Sequence, residues 1–263
     1  MKDFVYMLAP MEDAIGLAFR ELSYNHGADY TFTEMARVDG LARNNQSSLR
    51  KIEIRKPIPT YIQIIGSNEK KLEQFLNEFK PPKGFQGFNL NLGCPSPKMI
   101  EKGLGCALIK RISKVKKLVK IIKDKGYSAS IKLRLGMNEF ERRNKNYLNL
   151  IKEVDADFFI IHARDGSQTY DDPADFTVYE EIVKTGKKII ANGDIKTKEQ
   201  VDELKKMGLA GVMIGRAAVE NPRLFNQLKG IKDDKKVIPE LKKLLEEYNQ
   251  NKKFNKILKR IKD

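Results

Sequence analysis

Short apolar runs alternate with longer stretches of helical period along most of the chain. The runs FVYMLA (4–9), DYTFTE (29–34), TYIQIIG (60–66), GFNLNL (87–92), SASIKLRL (128–135), DFFIIH (157–162), KIIANG (188–193) and AGVMIG (210–215) predict eight strands. Helices are predicted between most of them, at 15–25, 68–79, 113–125, 145–154 and 198–207. In 113–125, Val115, Leu118, Val119, Ile121 and Ile122 recur at helical spacing, so one face is buried and the lysines fill the other. The strands are apolar on both faces, as in a parallel sheet covered on both sides. Eight strand–helix repeats predict an α/β fold, a (β/α)8 TIM barrel, with a doubly wound sheet as the alternative because periodicity does not reveal closure.

The pattern changes after Arg223. KGIKDDKK (229–236) reads as a polar linker, and 238–250 and 251–263 read as two helical segments with no strand between them. The expected division is a catalytic barrel over 1–228 and a short helical extension over 229–263, too small to hold its own core. The last twelve residues carry Lys252, Lys253, Lys256, Lys259, Arg260 and Lys262 against Asp263 alone, a candidate nucleic-acid-binding element.

Composition narrows the function classes. Of the 263 residues, 41% are hydrophobic and 32% charged, and no apolar stretch approaches the roughly 20 residues of a membrane span. The N-terminus lacks a small-residue cleavage pattern, so a cytoplasmic location is expected. A net charge of +15 fits an anionic partner, nucleic acid foremost, against a simply lysine-rich surface. Two cysteines and two histidines give neither a disulfide framework nor a metal site, and no metal is expected.

Unusual residues cluster where the predicted strands end: APMED, TEM, NLGCP, KLRLG, HARDG, NGDI and GRAA, with Gln63 inside the third strand. In a barrel these ends share one rim, the rim that carries the active site. Asn192-Gly193-Asp194 and Gly215-Arg216 end adjacent strands, each before a helix. Bare backbone and a planar cation there predict a phosphate site. Lys132 is either a cation facing into the barrel or a lysine at a frayed strand end. Gln63 could read a heterocycle edge or satisfy a neighbouring backbone group, and His162 could contact a ligand or be structural. Cys94, between Gly93 and Pro95, is a buried filler or a rim thiol serving as proton donor or nucleophile. No histidine lies near it in sequence, which favours acid catalysis over hydrolysis.

Taken in order, LAPMED, TEM, the Gln63–Gly66 stretch, NLGCPSP followed by GLGCALI, KLRLG, HARDG, ANGDI and IGRAAVENPRLF resemble the FMN-dependent tRNA-dihydrouridine synthases over roughly residues 3–226. The resemblance implies FMN held by Pro10, Met11, Gln63, Lys132, His162, Asn192, Gly193, Asp194, Gly215 and Arg216. It implies that Asn91 positions the target uracil and that Cys94 is the acid that protonates C5, with Lys132 beside the flavin N1 edge. Arg164, on the same rim, is expected to contact substrate. NADPH would reduce the flavin, the substrate would be a uridine of tRNA or another structured RNA, flipped out to reach the site, and the protein would act as a monomer. The chain departs from the family in its short C-terminal extension, in Cys106 and in the 165–176 loop. Two rival readings are a small-molecule FMN dihydropyrimidine or dihydroorotate dehydrogenase and a catalytically inactive RNA-binding barrel.

Overall fold

The computed structural model describes residues 4–12, 14–253 and 257–261; Lys256, Lys262 and Asp263 of the basic tail lie outside them. The strands are β1 (Val5–Leu8), β2 (Thr31–Phe32), β3 (Ala36–Arg37), β4 (Thr60–Ile65), β5 (Phe85–Leu92), β6 (Ala129–Leu133), β7 (Phe159–His162), β8 (Ile189–Asn192) and β9 (Gly211–Ile214). All pair in parallel, in the order β1-β9-β8-β7-β6-β5-β4-β2. A parallel bridge from Met7 to Tyr30 brings the two ends together, with Leu8 N–H donating to Tyr30 O at 2.9 Å. The result is a (β/α)8 barrel whose strand C-termini share one rim.

The second strand is the one that differs from its prediction. In place of 29–34 the chain forms two short pieces, β2 and β3, both paired with β4. The break falls at Thr33-Glu34-Met35. Gln63 N–H donates to Thr33 Oγ1 at 3.0 Å, so a side chain substitutes for one rung of the ladder. Past the break Met35 lines the barrel mouth, where it packs in one cluster with Cys94 and Ile65.

The helix Ile112–Asp124 buries Val115, Leu118, Val119 and Ile122. Its lysines pair with neighbouring elements: Lys114 with Glu69 at 2.8 Å, Lys116 with Glu153 at 2.7 Å and Lys123 with Asp155 at 2.7 Å. Part of the positive charge is thus solvated scaffold, each exposed pair contributing at most about 1 kcal/mol.

The extension docks on the barrel. Helix Val237–Glu247 buries Val237, Leu241, Leu244 and Leu245 in the same apolar cluster as Ala18 and Leu22 of helix Leu17–Asn25. Polar contacts set its register. His26, fully buried, places Nδ1 2.7 Å from Asp233 Oδ2 and Nε2 3.2 Å from Glu240 Oε2. Tyr248 OH donates to Glu21 Oε2 at 2.6 Å. Gln250 Oε1 accepts from Ala18 N–H at 3.3 Å, in space that a side chain at Gly16 would fill. No helix among the described residues is long and apolar enough to cross a membrane.

Replacing His26 with alanine takes the imidazole from buried Asp233, leaving it only Asn226 Nδ2 and the Lys235 amide as donors, and should loosen the docked extension by about 3 kcal/mol. Amide exchange across Val237–Glu247 should then accelerate roughly a hundredfold, with barrel strands little changed. Unchanged exchange would mean that the apolar face alone holds the extension.

Candidate active site

The strand ends enclose a cleft made of two joined recesses, of about 700 and 1020 Å3, open to solvent. Pro10, Met11, Lys132, His162, Tyr170 and Arg216 line both. Asn192, Gly193, Asp194, Gly215 and Arg164 line the first, and Gln63, Asn91 and Cys94 the second. Every residue singled out at the rim from the sequence therefore borders one continuous space.

The thiol end is built on an amide ladder. Asn91 and Lys132 are register partners on β5 and β6, and Gln63 and Asn89 on β4 and β5. Asn91 Nδ2 donates to Gln63 Oε1 at 3.0 Å, Gln63 Nε2 to Asn89 Oδ1 at 2.9 Å, and Asn89 Nδ2 to Ser130 Oγ at 2.9 Å. Asn91 Oδ1 accepts from Gly93 N–H at 3.0 Å and Cys94 N–H at 2.9 Å. One amide thus fastens the cysteine loop to the barrel wall, as buried polar groups demand.

The GLGC stretch fastens the loop from its other side. Cys106 N–H donates to Cys94 O at 3.1 Å. Gly105 has φ +61°, and a Cβ there would lie 2.2 Å from Cys94 O, so only glycine fits. The two cysteines are free thiols with different surroundings. Cys106 is fully buried, and burial pushes its thiol up to about 12, whereas Cys94 is half-buried at the mouth.

At the other end Asp194 collects two guanidinium groups. Arg216 Nη2 lies 2.8 Å from Oδ1, and Arg164 binds Oδ2. Burial raises the Asp194 carboxyl, but hydrogen bonds from Arg164 and Ala174 N–H and the two positive charges outweigh it and hold the pKa below the ordinary value. Arg164 lies beneath the mouth rather than at its surface. It is fully buried and donates to Asp172 O at 2.7 Å, to Tyr170 O and to His162 Nε2 at 3.1 Å. Arg134 holds the same 165–172 loop from below, donating to Asp165 O at 2.6 Å and Gln168 O at 2.9 Å.

The loop so fixed carries Tyr170, whose ring stacks on His162 at 6.4 Å and lies 4.0 Å from the Arg216 guanidinium. Neither Tyr170 nor Tyr179 stood out in the sequence, since a tyrosine in a polar loop or on a helix has no distinguishing period. Buried Tyr179 donates to Ile161 O at 2.8 Å and accepts from Asn192 N–H at 3.0 Å, bracing the ends of β7 and β8. Arg134 lies two residues beyond Lys132 in KLRLG, and nothing in that spacing marks it as the clasp of a distant loop.

The electrostatics are one-sided. Burial, followed by Lys132, Arg134, Arg164 and Arg216, drives the His162 imidazole far below its usual range and keeps it neutral. Its Nε2 accepts from Arg164, which leaves the proton on Nδ1. Burial, and then Arg134, brings the Lys132 ammonium down to about 8. An anion entering the cleft would relieve this excess of positive charge. Apolar Ala9, Met11, Met213 and Ile214 beside bare backbone at Gly193 and Gly215 suit a ligand with a flat heterocyclic head and an anionic end. Among the described residues, no three His, Cys, Asp or Glu side chains gather as a metal site.

Asn91→Ala should free the Gly93 and Cys94 amides, at about 1 kcal/mol per hydrogen bond. Hydrogen exchange at those two positions should rise while the barrel strands stay protected. Continued protection would show that the Gly105 side alone fixes the loop.

Comparison with known proteins agrees with this geometry. The family model described as "Dihydrouridine synthase (Dus)" matches residues 7–263. The chain is 30% identical over 230 residues to a probable tRNA-dihydrouridine synthase of Helicobacter pylori, covering 84% of this chain and 69% of that one. It is 29% identical over 237 residues to a probable tRNA-dihydrouridine synthase of Aquifex aeolicus, covering 86% and 73%. It is 26% identical over 226 residues to a human protein named tRNA-dihydrouridine(47) synthase NAD(P)(+)-like, covering 84% of this chain and 35% of the human one. The match runs through both ends of the cleft, the cysteine loop and the Asp194–Arg216 rim alike, and the chain belongs to the dihydrouridine synthase family.

Proposed function

We propose that this protein reduces the C5–C6 double bond of a uridine in tRNA, giving dihydrouridine, with FMN as its bound cofactor and NADPH as the hydride source. The observation that carries the reading is a thiol held from two sides at the mouth of a positively charged cleft, in a chain of this family. The names of the relatives support tRNA as the substrate, and the human relative's name supports a nicotinamide donor.

The cleft suits FMN on its own chemistry. Gly193, Gly215 and Arg216 would receive the phosphate, with Arg216 kept in place by Asp194 and by the Tyr170 ring. Pro10, Met11 and Gln63 would border the ring system, with neutral His162 and Asn192 on the far side. When bound, FMN reduced by NADPH supplies the hydride that reaches C6 of the uracil. Cys94 gives its thiol proton to C5, and the Asn91 ladder fixes where that proton is offered. Lys132 offers a cation to the electron-rich edge of the ring system. Arg164 acts as a positioning residue, since its donors serve the 165–172 loop and Asp194.

The basic mouth also favours RNA over a free pyrimidine. Lys132, Arg134, Arg216 and Arg260 line it against one carboxylate among the described residues, Glu12. This excess suits a phosphate backbone, whereas an uncharged dihydropyrimidine would use none of it and orotate, a monoanion, only part. This leaves the small-molecule dehydrogenase as the weaker reading.

Two outcomes test this account. Cys94→Ala should still bind FMN and accept electrons from NADPH, but reoxidation of its flavin by unmodified tRNA under anaerobic conditions should slow roughly a hundred- to ten-thousandfold. Normal reoxidation in that variant would remove the thiol from the chemistry. FMN affinity for the apoprotein should fall as pH rises through about 8, where Lys132 loses its proton in the empty site. The fall is on the order of tenfold for each pKa unit that bound FMN restores to the lysine. Lys132→Met should bind more weakly with a flat profile between pH 7 and 9, and a wild-type profile in that variant would contradict the role.

A further inference from the structure

Residues 257–261 bring the extension to the barrel mouth. Ile257 is buried in the apolar cluster that the barrel shares with helix Val237–Glu247, and Ile261, four residues on, packs against the same cluster. Arg260 sits between these anchors, its backbone N–H donating to Ile257 O at 2.9 Å. Its side chain lines the same recess as Cys94, Asn91 and Lys132. Lys259, the preceding residue, is exposed and does not line it.

The surroundings of Arg260 call for an anion. Lys132, Arg134 and Arg216 share the recess, and Glu12, the carboxylate on its edge, is paired with Lys51. Among the described residues no carboxylate pairs with Arg260. The Gly193–Gly215 end, assigned above to the flavin phosphate, belongs to the adjoining recess, which Arg260 does not line. An arginine held half-buried by flanking apolar residues has lost side-chain freedom before a ligand arrives, and its planar fork matches a phosphate.

We propose that Arg260 grips a backbone phosphate of the RNA next to the uridine that enters the mouth, so that the extension supplies a substrate-positioning residue to the barrel site. The assignment rests on the RNA-reducing reading above. The basic tail then acts through one placed guanidinium rather than through its summed charge.

The test compares FMN-loaded wild type, Arg260→Ala, Arg260→Lys and Lys259→Ala for affinity toward a pool of unmodified tRNA transcripts at several salt concentrations. Flavin reoxidation by the same transcripts is followed in parallel. Arg260→Ala should weaken binding about tenfold and flatten the salt slope by about 0.7, the share of one phosphate on a single strand. Arg260→Lys should recover part of the loss, and Lys259→Ala, which removes the same charge one residue away, should change much less. FMN content and flavin reduction by NADPH should match the wild type in all three. Equal losses in Arg260→Ala and Lys259→Ala would make the tail a diffuse charged surface and overturn the assignment. Loss of FMN from Arg260→Ala would place the arginine on the flavin phosphate and overturn it too. Failure of the wild-type flavin to be reoxidised by any transcript would instead sink the RNA-reducing reading, and this one with it.

Discussion

The Asp194 carboxylate, shared between Arg164 and Arg216, is the contact on which the cleft depends. A guanidinium as deeply buried as that of Arg164 is costly unless a counter-charge and hydrogen-bond acceptors surround it. Asp194 supplies the charge, while the carbonyls of Asp172 and Tyr170 supply acceptors from the loop. The loop is therefore ordered by the requirement to satisfy a buried cation. Tyr170 then stacks on His162 and Arg216, and the same cations keep His162 neutral. Removing Asp194 would leave two arginines repelling each other where an anionic ligand is to bind.

The thiol end follows a different logic. It uses uncharged amides, whose directional bonds hold geometry without adding to the positive field. Asn91 is fastened on one side to Gln63 and on the other to the backbone of the cysteine loop. Gly105 lets the following segment close against Cys94 O. Electrostatic preorganisation at one end and hydrogen-bonded positioning at the other divide the work between anchoring an anion and aiming a proton.

Much of this was legible in the sequence. The strands are short, apolar and evenly interleaved with helices, and polar or glycine residues fall at their C-terminal ends, so pattern favoured a barrel and pointed to its rim. Closure, which periodicity does not reveal, came from the Met7–Tyr30 bridge. The residues picked at those ends line one cleft. What pattern could not supply were contacts between residues distant along the chain. Arg164 carries the same local signature whether it faces solvent or is buried under a loop; Asp194, just past the end of the next strand, and the loop carbonyls decide it. The resemblance implies that Asn91 positions the target uracil; pattern could not show that its two amide ends also reach Gln63 and the backbone of the cysteine loop. The break of the second strand depends on Thr33 substituting for a backbone acceptor opposite Gln63. The place of Arg260 at the mouth depends on two isoleucines joining the apolar cluster shared by the barrel and the extension helix, which helical periodicity alone does not specify.

The most direct test of the central claim is nucleoside mass spectrometry of RNA from cells with and without this gene. The account predicts a gain of two hydrogens on uridine at a defined tRNA position, lost with the gene and restored by the wild-type chain but not by Cys94→Ala. Dihydrouridine levels that do not change with the gene, in cells lacking any other synthase, would contradict it.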